Sequence, residues 1–365
     1  MKRHQLIGAP VSLYTGKARA YLRFKGIPFD EVLATQDVYR SVILPRTGVR
    51  YIPVLITDDD VAVQDTTEII DQLELRYPEP SIYPTSPAQR LVALLLEVYG
   101  DEWLVIPAMH FRWNIAENRA FAVREFGATA APEASADEQL ALGEKLSQPF
   151  AGALSALGIT ERSAPAIEAS YAQVLADLDR HFAALPFLLG TRPSLGDFGL
   201  FGPLYAHLYR DPYSGRALRQ QAPHVAAWIE RMRTPPGDQG AFLSDDHVPE
   251  TLLPILQRMF TEQVPVLLTT VESVRVWADG DASRRALPRA LGVHDFAVQG
   301  VEAQRAVFPY QVWMWQRPYD LVRGLSASES PQVDALLERI AGAREAFALP
   351  IPRRVQRLNN KLELA

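Results

Sequence analysis

The chain has 365 residues, a net charge of −6, 48% apolar residues and no cysteine. This length accommodates two domains of ordinary size, or two domains and a large appendage. The absence of cysteine excludes disulfides, thiolate metal sites and a cysteine nucleophile. The acidic balance argues against a nucleic-acid partner, and no apolar stretch is long enough to span a membrane. We therefore expect a globular protein without a nucleic-acid, membrane or metal partner.

The first part of the chain predicts a strand, a helix and a second strand. Residues 1–4 lead directly into the strand rather than into a signal-peptide core, so a cytoplasmic location is expected. Residues 5–8 form that strand, and residues 17–24 form a helix that ends at a Gly-Ile-Pro stop signal. Residues 29–33 are the second strand, reached by a right-handed crossover.

Residues 51–75 predict a strand, a tight turn, a second strand and a helix. Tyr51, Val54 and Ile56 alternate as in a half-buried strand, and an acidic turn comes next at residues 58–60. The apolar residues then change to helical spacing. Together with the first part, this gives β-α-β and then β-β-α, which is the thioredoxin-like order.

Two features of this stretch can serve a ligand. Pro53 cannot donate to a sheet ladder, so it requires an edge, a bulge or a cis bond, and the sequence alone favours a trans Ile52–Pro53 bond. The next helix begins in a polar cluster where Asp65 or Thr66 can cap the first turn, with Glu68 placed as in a capping box. The alternative is that free N–H groups and a carboxylate hold a small zwitterionic ligand.

Residues 11–19, between the first strand and the first helix, contain the hydroxyls of Ser12, Tyr14 and Thr15. Redox-active thioredoxin-like proteins carry Cys-x-x-Cys here, so this chain cannot perform thiol–disulfide exchange itself. A hydroxyl beside a helix N-terminus can instead donate a hydrogen bond to a bound thiolate, which the helix dipole also favours. The structural alternative is that Ser12 only ends the strand or caps the helix.

The sequence Ile52-Pro53-Val54-Leu55, together with Asp65-Thr66 and Ile69-Ile70, resembles the glutathione-binding half of cytosolic glutathione transferases. The resemblance implies that Pro53 is preceded by a cis bond and that the Ile52 backbone holds the cysteinyl part of glutathione. It also implies that Asp65 and Thr66 hold the γ-glutamyl end. Glutathione is thus the expected co-substrate.

The position of Ser12, five residues before the first basic residue of the helix, is similar to that in serine-type transferases of the tau, zeta and theta classes. Ser12 is therefore the first choice for the thiolate donor, and Tyr14 and Thr15 are the alternatives. The loop before Pro53 departs from the family pattern, because it is longer and its glycine is displaced. Contacts to the glycyl end of glutathione would fall to Arg46 or Arg50.

After the first domain the apolar pattern is helical, with a kink expected at Pro107. Ser194 and Asp197 stand at capping-box separation ahead of a buried helix. This pair resembles the Ser/Thr-x-x-Asp box of the transferase helical domain, and residues 223–228 are similar to its late helix. The resemblance covers residues 1–233.

The chain continues beyond a predicted linker into an extension that ordinary family members lack. We expect this extension to pack on the helical domain, since its large aromatic side chains would otherwise form an exposed patch. A basic run near the end is typical of a solvated terminus. The predicted features are a linker at 234–249, helices over 251–277 interrupted at Pro254 and Pro265, a β-hairpin within 294–308, helices at 310–325 and 331–347 with Ser330 as the cap of the second, and the basic run at 353–357.

The predicted architecture is an α/β thioredoxin-like domain at residues 1–83, an all-α glutathione-transferase domain at 84–240 and a mostly helical extension with a β-hairpin at 241–365. The leading function is a glutathione-dependent transferase, in which a stabilised thiolate attacks a hydrophobic electrophile held by aromatic residues of the helical domain. The resemblance also implies a homodimer. The alternative is a non-catalytic glutathione-transferase-like binding or scaffold protein, which the large extension and the altered loop favour.

Overall fold

The computed structural model of the chain describes residues 3–235, 237, 239–281 and 283–365. The first domain consists of β1 His4–Gly8, α1 Leu13–Phe24, β2 Phe29–Leu33, α2 Gln36–Val38, α3 Leu44–Thr47, β3 Val54–Ile56, β4 Ala62–Gln64 and α4 Thr66–Arg76. Its sheet has the strand order β2-β1-β3-β4, with β1 and β2 parallel and the other neighbours antiparallel. The predicted thioredoxin-like order is confirmed.

The first helix starts earlier than the sequence predicts. It begins at Leu13 rather than at residue 17, because the Ser12 side chain accepts the backbone N–H of Thr15 at 3.2 Å and so caps the helix. The apolar face of α1, which includes Tyr21 and Leu22, is fully buried. A capped and buried helix therefore comes after β1 and a short turn.

The second domain is all helical, as predicted. Its helices are α5 Pro87–Glu102, α6 Val105–Asn114, α7 Ala116–Ala130, α8 Ala136–Ala151, α9 Ala164–Ala184, α10 Leu195–Ala206, α11 Pro212–Gln221 and α12 Pro223–Arg233, with a short 3-10 turn at Ser155–Leu157. Helices α5 and α10 cross closely, since a Cβ on Gly100 would lie 2.3 Å from the backbone of Gly199. The predicted capping box is present, because the carboxylate of Asp197 accepts the N–H of Ser194 at 2.8 Å.

The kink predicted at Pro107 is wrong in its position. The helix breaks earlier, between the end of α5 at Glu102 and the start of α6 at Val105. Pro107 then lies in the first turn of α6. Backbone N–H groups there have no partner within the helix, so the proline costs no helical hydrogen bond.

The extension contains five helices and two β-hairpins among the described residues. Its elements are α13 Leu253–Arg258, α14 Val264–Asp279, β5 Val293–Val298, β6 Val301–Ala306, α15 Tyr310–Arg323, α16 Ser330–Glu338, α17 Ala343–Ala348, β7 Val355–Leu358 and β8 Lys361–Leu364. The first hairpin, β5–β6, is the predicted one and turns at Gln299-Gly300, both in the left-handed region. Pro236 and Asp238 of the predicted linker lie outside the described residues.

Three local predictions for the extension are corrected. The chain from Leu253 to Asp279 is not interrupted at Pro265, because a wide π-helical turn at Met259–Gln263 joins α13 to α14 and accommodates the proline. The single helix predicted over 331–347 is two helices, separated before Gly342 with its φ of 82°. Ser330 is the first residue of α16 rather than its cap.

The basic run at 353–357 is not a solvated terminus. It enters the second hairpin, β7–β8, in which Val355 pairs with Leu364 and Leu358 with Lys361. The side chain of Arg357 is only 5% exposed. Burial of a charged side chain requires partners, and those partners lie in the first domain.

The extension contacts both preceding domains. The Asp246 carboxylate accepts the N–H groups of Ala88 and Gln89 at the start of α5, at 2.8 and 2.9 Å. On the first domain, Arg317 of α15 pairs with Asp71 of α4 at 2.5 Å. One continuous cluster of buried apolar residues joins all three parts of the chain. The extension is therefore built into the fold on two sides.

Candidate functional site

One edge of the first domain's sheet gathers the predicted site residues. Ile7 of β1 lies opposite Val54 of β3, and β4 runs antiparallel to β3 on its other side. The carboxyl ends of β1 and β4 therefore lie beside the amino end of β3. This places Ser12, which comes after β1, and Asp65, which comes after β4, on either side of Pro53.

The Ile52–Pro53 peptide bond is cis, as the resemblance implies and against the preference of the sequence alone. Ile52 is half-buried, and neither its backbone N–H nor its carbonyl has a hydrogen-bond partner within the described part of the chain. Backbone groups that are unpaired beside a sheet edge can bond to an extended peptide.

The loop before Pro53 is already engaged by other parts of the chain. The guanidinium of Arg46 pairs with the Asp60 carboxylate at 2.9 Å. The side-chain amide of Asn360, in the turn of the β7–β8 hairpin, donates to the Thr47 carbonyl at 3.0 Å. The extension thus contacts this loop, and Arg46 has an acidic partner of its own.

The hydroxyl of Ser12 lies at the N-terminus of α1 and remains partly accessible. Its oxygen accepts the Thr15 N–H, so the capping alternative is realised, while its proton has no acceptor within the described residues. The Thr15 side chain is buried and accepts the Ala9 N–H at 3.4 Å, which makes it part of the turn. Each of these two hydroxyls accepts a backbone N–H, and Ser12 is the one that is not fully buried.

The Tyr14 hydroxyl donates to the backbone carbonyl of Asp101 at 3.2 Å. Burial raises the pKa of Tyr14 well above its ordinary value, and the nearby charges of Glu102, Asp101 and Asp65 act in the same direction. The phenol therefore stays protonated, and α5 holds it beside the site.

Asp65 lies at the start of α4 with a φ of 90°. One carboxylate oxygen accepts the Thr67 N–H at 2.9 Å and caps the helix. The other accepts the Tyr310 hydroxyl at 2.7 Å and lies 2.7 Å from the guanidinium of Arg357. The buried Thr66 hydroxyl makes no hydrogen bond among the described residues. The carboxylate predicted to hold a ligand thus already has two partners from the extension.

Arg357 is the site residue that the sequence-based interpretation missed. It donates to the Gln64 side chain at 2.8 Å, lies 3.4 Å from Glu68 and covers the face of Trp313 at 5.5 Å from the ring centroid. One signal in the sequence indicates the hairpin that carries it. The residues Asn359-Asn360 tolerate the left-handed conformation that a two-residue hairpin turn requires, and they have φ angles of 51° and 61°.

A buried charge cluster supports the site from below the first helix. The Lys17 ammonium lies 2.7 Å from Glu97 and 2.6 Å from Asp101, and all three side chains are almost fully buried. The Thr67 hydroxyl donates to Glu97 at 3.0 Å, and Arg317 approaches the same carboxylate at 3.5 Å. The cluster joins α1, α4, α5 and α15, so it fixes the extension relative to the site.

Aromatic side chains of the extension and of the helical domain surround the guanidinium of Arg305. Trp103 of the helical domain is buried against Phe296, and both rings face the guanidinium of Arg305 at 5.5 and 5.8 Å. Phe308, at 5.9 Å from the same guanidinium, and Tyr310 are only half-buried. Burial lowers the pKa of Arg305 to about 10. Aromatic faces hold this charge in place of hydrogen bonds.

Within the described residues, none of the helices combines the length and apolarity needed to cross a bilayer. The same part of the chain contains no group of three or more His, Asp or Glu side chains arranged to hold a metal ion.

Two family profiles match the chain. The one described as Glutathione S-transferase, N-terminal domain, matches residues 6–81, and the one described as Glutathione S-transferase, C-terminal domain, matches residues 159–231. Both matches end before the extension. No curated protein matches the chain.

Several solved structures are similar to the chain. A tau-class glutathione S-transferase from mango, Mangifera indica, is 20% identical, with 69% of this chain and 95% of that chain covered and a TM-score of 0.42. The β-etherase LigF from Sphingobium sp. strain SYK-6 is 20% identical, with 65% and 96% covered and a TM-score of 0.46. A glutathione S-transferase from Methylobacterium radiotolerans, in complex with glutathione sulfonate, is 23% identical, with 66% and 96% covered and a TM-score of 0.39.

Proposed function

Because this chain belongs to the glutathione S-transferase superfamily, we propose that it activates a glutathione-type thiol for attack on a hydrophobic electrophile. The observation that carries the proposal is the meeting of three groups at one sheet edge. These are the free hydroxyl proton of Ser12, the unpaired backbone of Ile52 and the polar start of α4 at Asp65.

The thiolate would lie beside Ser12 at the N-terminus of α1. A free thiol has a pKa of about 8.5, and a hydrogen-bond donor together with the helix dipole lowers it. The Ser12 oxygen accepts the Thr15 N–H, which polarises the hydroxyl and directs its proton away from the helix. The serine-type assignment therefore forms part of the proposal, with Tyr14 as the alternative donor.

The peptide part of the thiol ligand would pair with the Ile52 backbone as an added strand. A carboxylate of the ligand would accept the Thr66 hydroxyl and the free N–H groups of the first turn of α4. The electrophile would contact the half-buried rings of Phe308 and Tyr310, which places the extension in the wall of the second-substrate site. Holding both reactants here would lower the barrier by proximity.

A second candidate function is a non-catalytic binding or scaffold protein. It is favoured by the two partners that Asp65 already has, Tyr310 and Arg357. In such a protein the extension would have replaced the thiol ligand. A homodimer, which the family resemblance implies, is compatible with either candidate.

The thiolate absorbance of a bound thiol separates the two functions. Full-length protein is mixed with glutathione, or with its analogue that lacks the α-amino group, and the absorbance is titrated against pH. A transferase lowers the pKa of the bound thiol below about 8.5 and converts a chlorodinitrobenzene with release of chloride. If the protein binds neither thiol and releases no chloride, the second candidate, a non-catalytic protein, is supported.

A further inference from the structure

Arg357 places a permanent positive charge at the end of the site where Asp65 lies. Its guanidinium is buried and lies 2.7 Å from the Asp65 carboxylate, and it also contacts Gln64 and Glu68. The Tyr310 hydroxyl donates to the same Asp65 oxygen. Asp65 and Glu68 are thus the two carboxylates that face Arg357, and Asp65, the closer one, already accepts the Thr67 N–H and the Tyr310 hydroxyl.

The hairpin that carries Arg357 is anchored along its length. The backbone N–H and carbonyl of Val355 both bond to the Gln316 side chain, at 2.9 and 2.8 Å. The pair that Arg354 forms with the Asp320 carboxylate of α15 is exposed on both sides, so it contributes little to this anchoring. The other edge of the hairpin pairs with residues 285–287 of the extension. These contacts fix the backbone of the hairpin, and the bond to Gln64 and the pairing with Asp65 hold the Arg357 guanidinium itself.

A ligand ammonium at this place would meet an acid that is already neutralised and a guanidinium of the same sign. Like charges in a partly buried site repel with little screening by solvent. A ligand carboxylate, by contrast, would find Arg357, the Thr66 hydroxyl and the free N–H groups at the start of α4. Because Asp65 and Glu68 both face Arg357, the site is not positive overall; the loss of Asp65 as a free acceptor is what favours an end without an ammonium over a zwitterionic one.

We propose that Arg357 takes the place of the ligand's ammonium group and makes the site selective for acyl-cysteinyl thiols that lack it. This inference rests on the proposed function, since it specifies the thiol that the same site accepts. The chemical class is a cysteinyl peptide whose N-terminal acyl group ends in a carboxylate or in no charge. Arg357 is accordingly a specificity-determining residue contributed by the extension.

The test compares two thiols that differ only in one amino group. Full-length protein is titrated by calorimetry with glutathione and with glutaryl-cysteinyl-glycine, which keeps the carboxylate and loses the ammonium. We expect the wild-type protein to bind the analogue at least about tenfold more tightly. Arg357→Met should reverse the preference toward glutathione by freeing Asp65, whereas Arg354→Met, with the exposed neighbouring arginine, should leave it unchanged.

The outcomes distinguish the inference from the proposed function. Equal affinities, or a wild-type preference for glutathione, would overturn the inference and leave the transferase proposal standing. Binding of neither thiol by the wild type or by the folded Arg357→Met variant would overturn both. If Arg357→Met does not fold, the inference is decided by the ratio of the two thiol affinities in the wild-type protein and by whether Arg354→Met keeps that ratio.

Discussion

The ammonium of Lys17 lies 2.6 Å from the carboxylate of Asp101, and this almost fully buried pair joins the first domain to the helical domain. Glu97, one turn earlier on α5, holds the same ammonium at 2.7 Å. Burial by itself lowers the pKa of Lys17, but the charges of Asp101 and Glu97 outweigh it and raise that pKa above its ordinary value. The lysine is therefore charged in the folded protein.

Replacing Lys17 should destabilise the protein strongly. Lys17→Met leaves Asp101 buried without its cation and Glu97 with only the more distant Arg317, and removal of one partner from a buried ion pair costs about 3–5 kcal/mol. Chemical denaturation measures this loss. The matched control is Lys145→Met, since Lys145 is exposed on α8 and surface substitutions usually change stability by about 0.5 kcal/mol or less. Equal losses in the two variants would show that the cluster contributes no stability.

Replacing Ser12 should change the ionisation of a bound thiol more than its affinity. Ser12→Ala removes the proposed donor to the thiolate, so the pKa of the bound thiol should rise and turnover should fall while binding stays nearly intact. The variant also loses a helix cap, which costs about 1 kcal/mol of stability.

Ser135→Ala is the control for the cap. Ser135 caps α8 by accepting the Glu138 N–H at 3.4 Å, on an exposed helix outside the site. Its loss should lower stability without affecting the bound thiol. An unchanged thiol pKa in Ser12→Ala would move the donor to Tyr14 or to the backbone.

The order of elements in the first domain is predictable from the sequence because its signals are local. Alternation marks β3, the Gly-Ile-Pro stop ends α1, and the spacing of Ser194 and Asp197 specifies the start of α10. Helix boundaries are harder, as Pro265 shows, since a proline can be accommodated by a π-helical turn that no propensity predicts.

The contact of Arg357 with Asp65 could not be predicted in the same way. The two residues are separated by most of the chain, and a short basic run near a terminus is usually solvated. The local signal, the Asn359-Asn360 turn between two alternating segments, predicts a hairpin but not the surface that it covers. The pairing of the Arg357 and Asp65 charges is decided by tertiary packing.

Cleavage of the predicted linker should not release the extension. Gly237 is exposed and accessible to a protease, whereas residues 239–241 are hydrogen-bonded to Thr191 and Arg192, and Asp246 beyond them caps α5. After limited proteolysis the two fragments should elute together in size-exclusion chromatography, because the apolar core is continuous across the cut. Elution of a separate, folded C-terminal fragment would show that the extension is an independent domain.

The stability of the protein should depend on pH through Glu102, at the end of α5. Burial, reinforced by the charge of Asp101, raises the pKa of Glu102 to about 8, against the opposing influences of Gln311 and Arg305. The ordinary pKa of an exposed glutamate is 4.5. Between these two values the folded state keeps a proton that the unfolded chain has released.

The sign of the effect is set by this difference in bound protons. The contribution of Glu102 is fully present below the unfolded pKa and is lost as the pH rises through the folded pKa, so the free energy of unfolding should fall between pH 5 and about 8. Glu102→Gln has no ionisable group at this position, so its free energy of unfolding should change less than that of the wild type over the same pH range. Asp197, whose burial raises its pKa to about 6, contributes the same slope to both proteins and cancels in the comparison. Denaturant titrations at several pH values measure the difference, and parallel curves would mean that Glu102 ionises as it does in the unfolded chain.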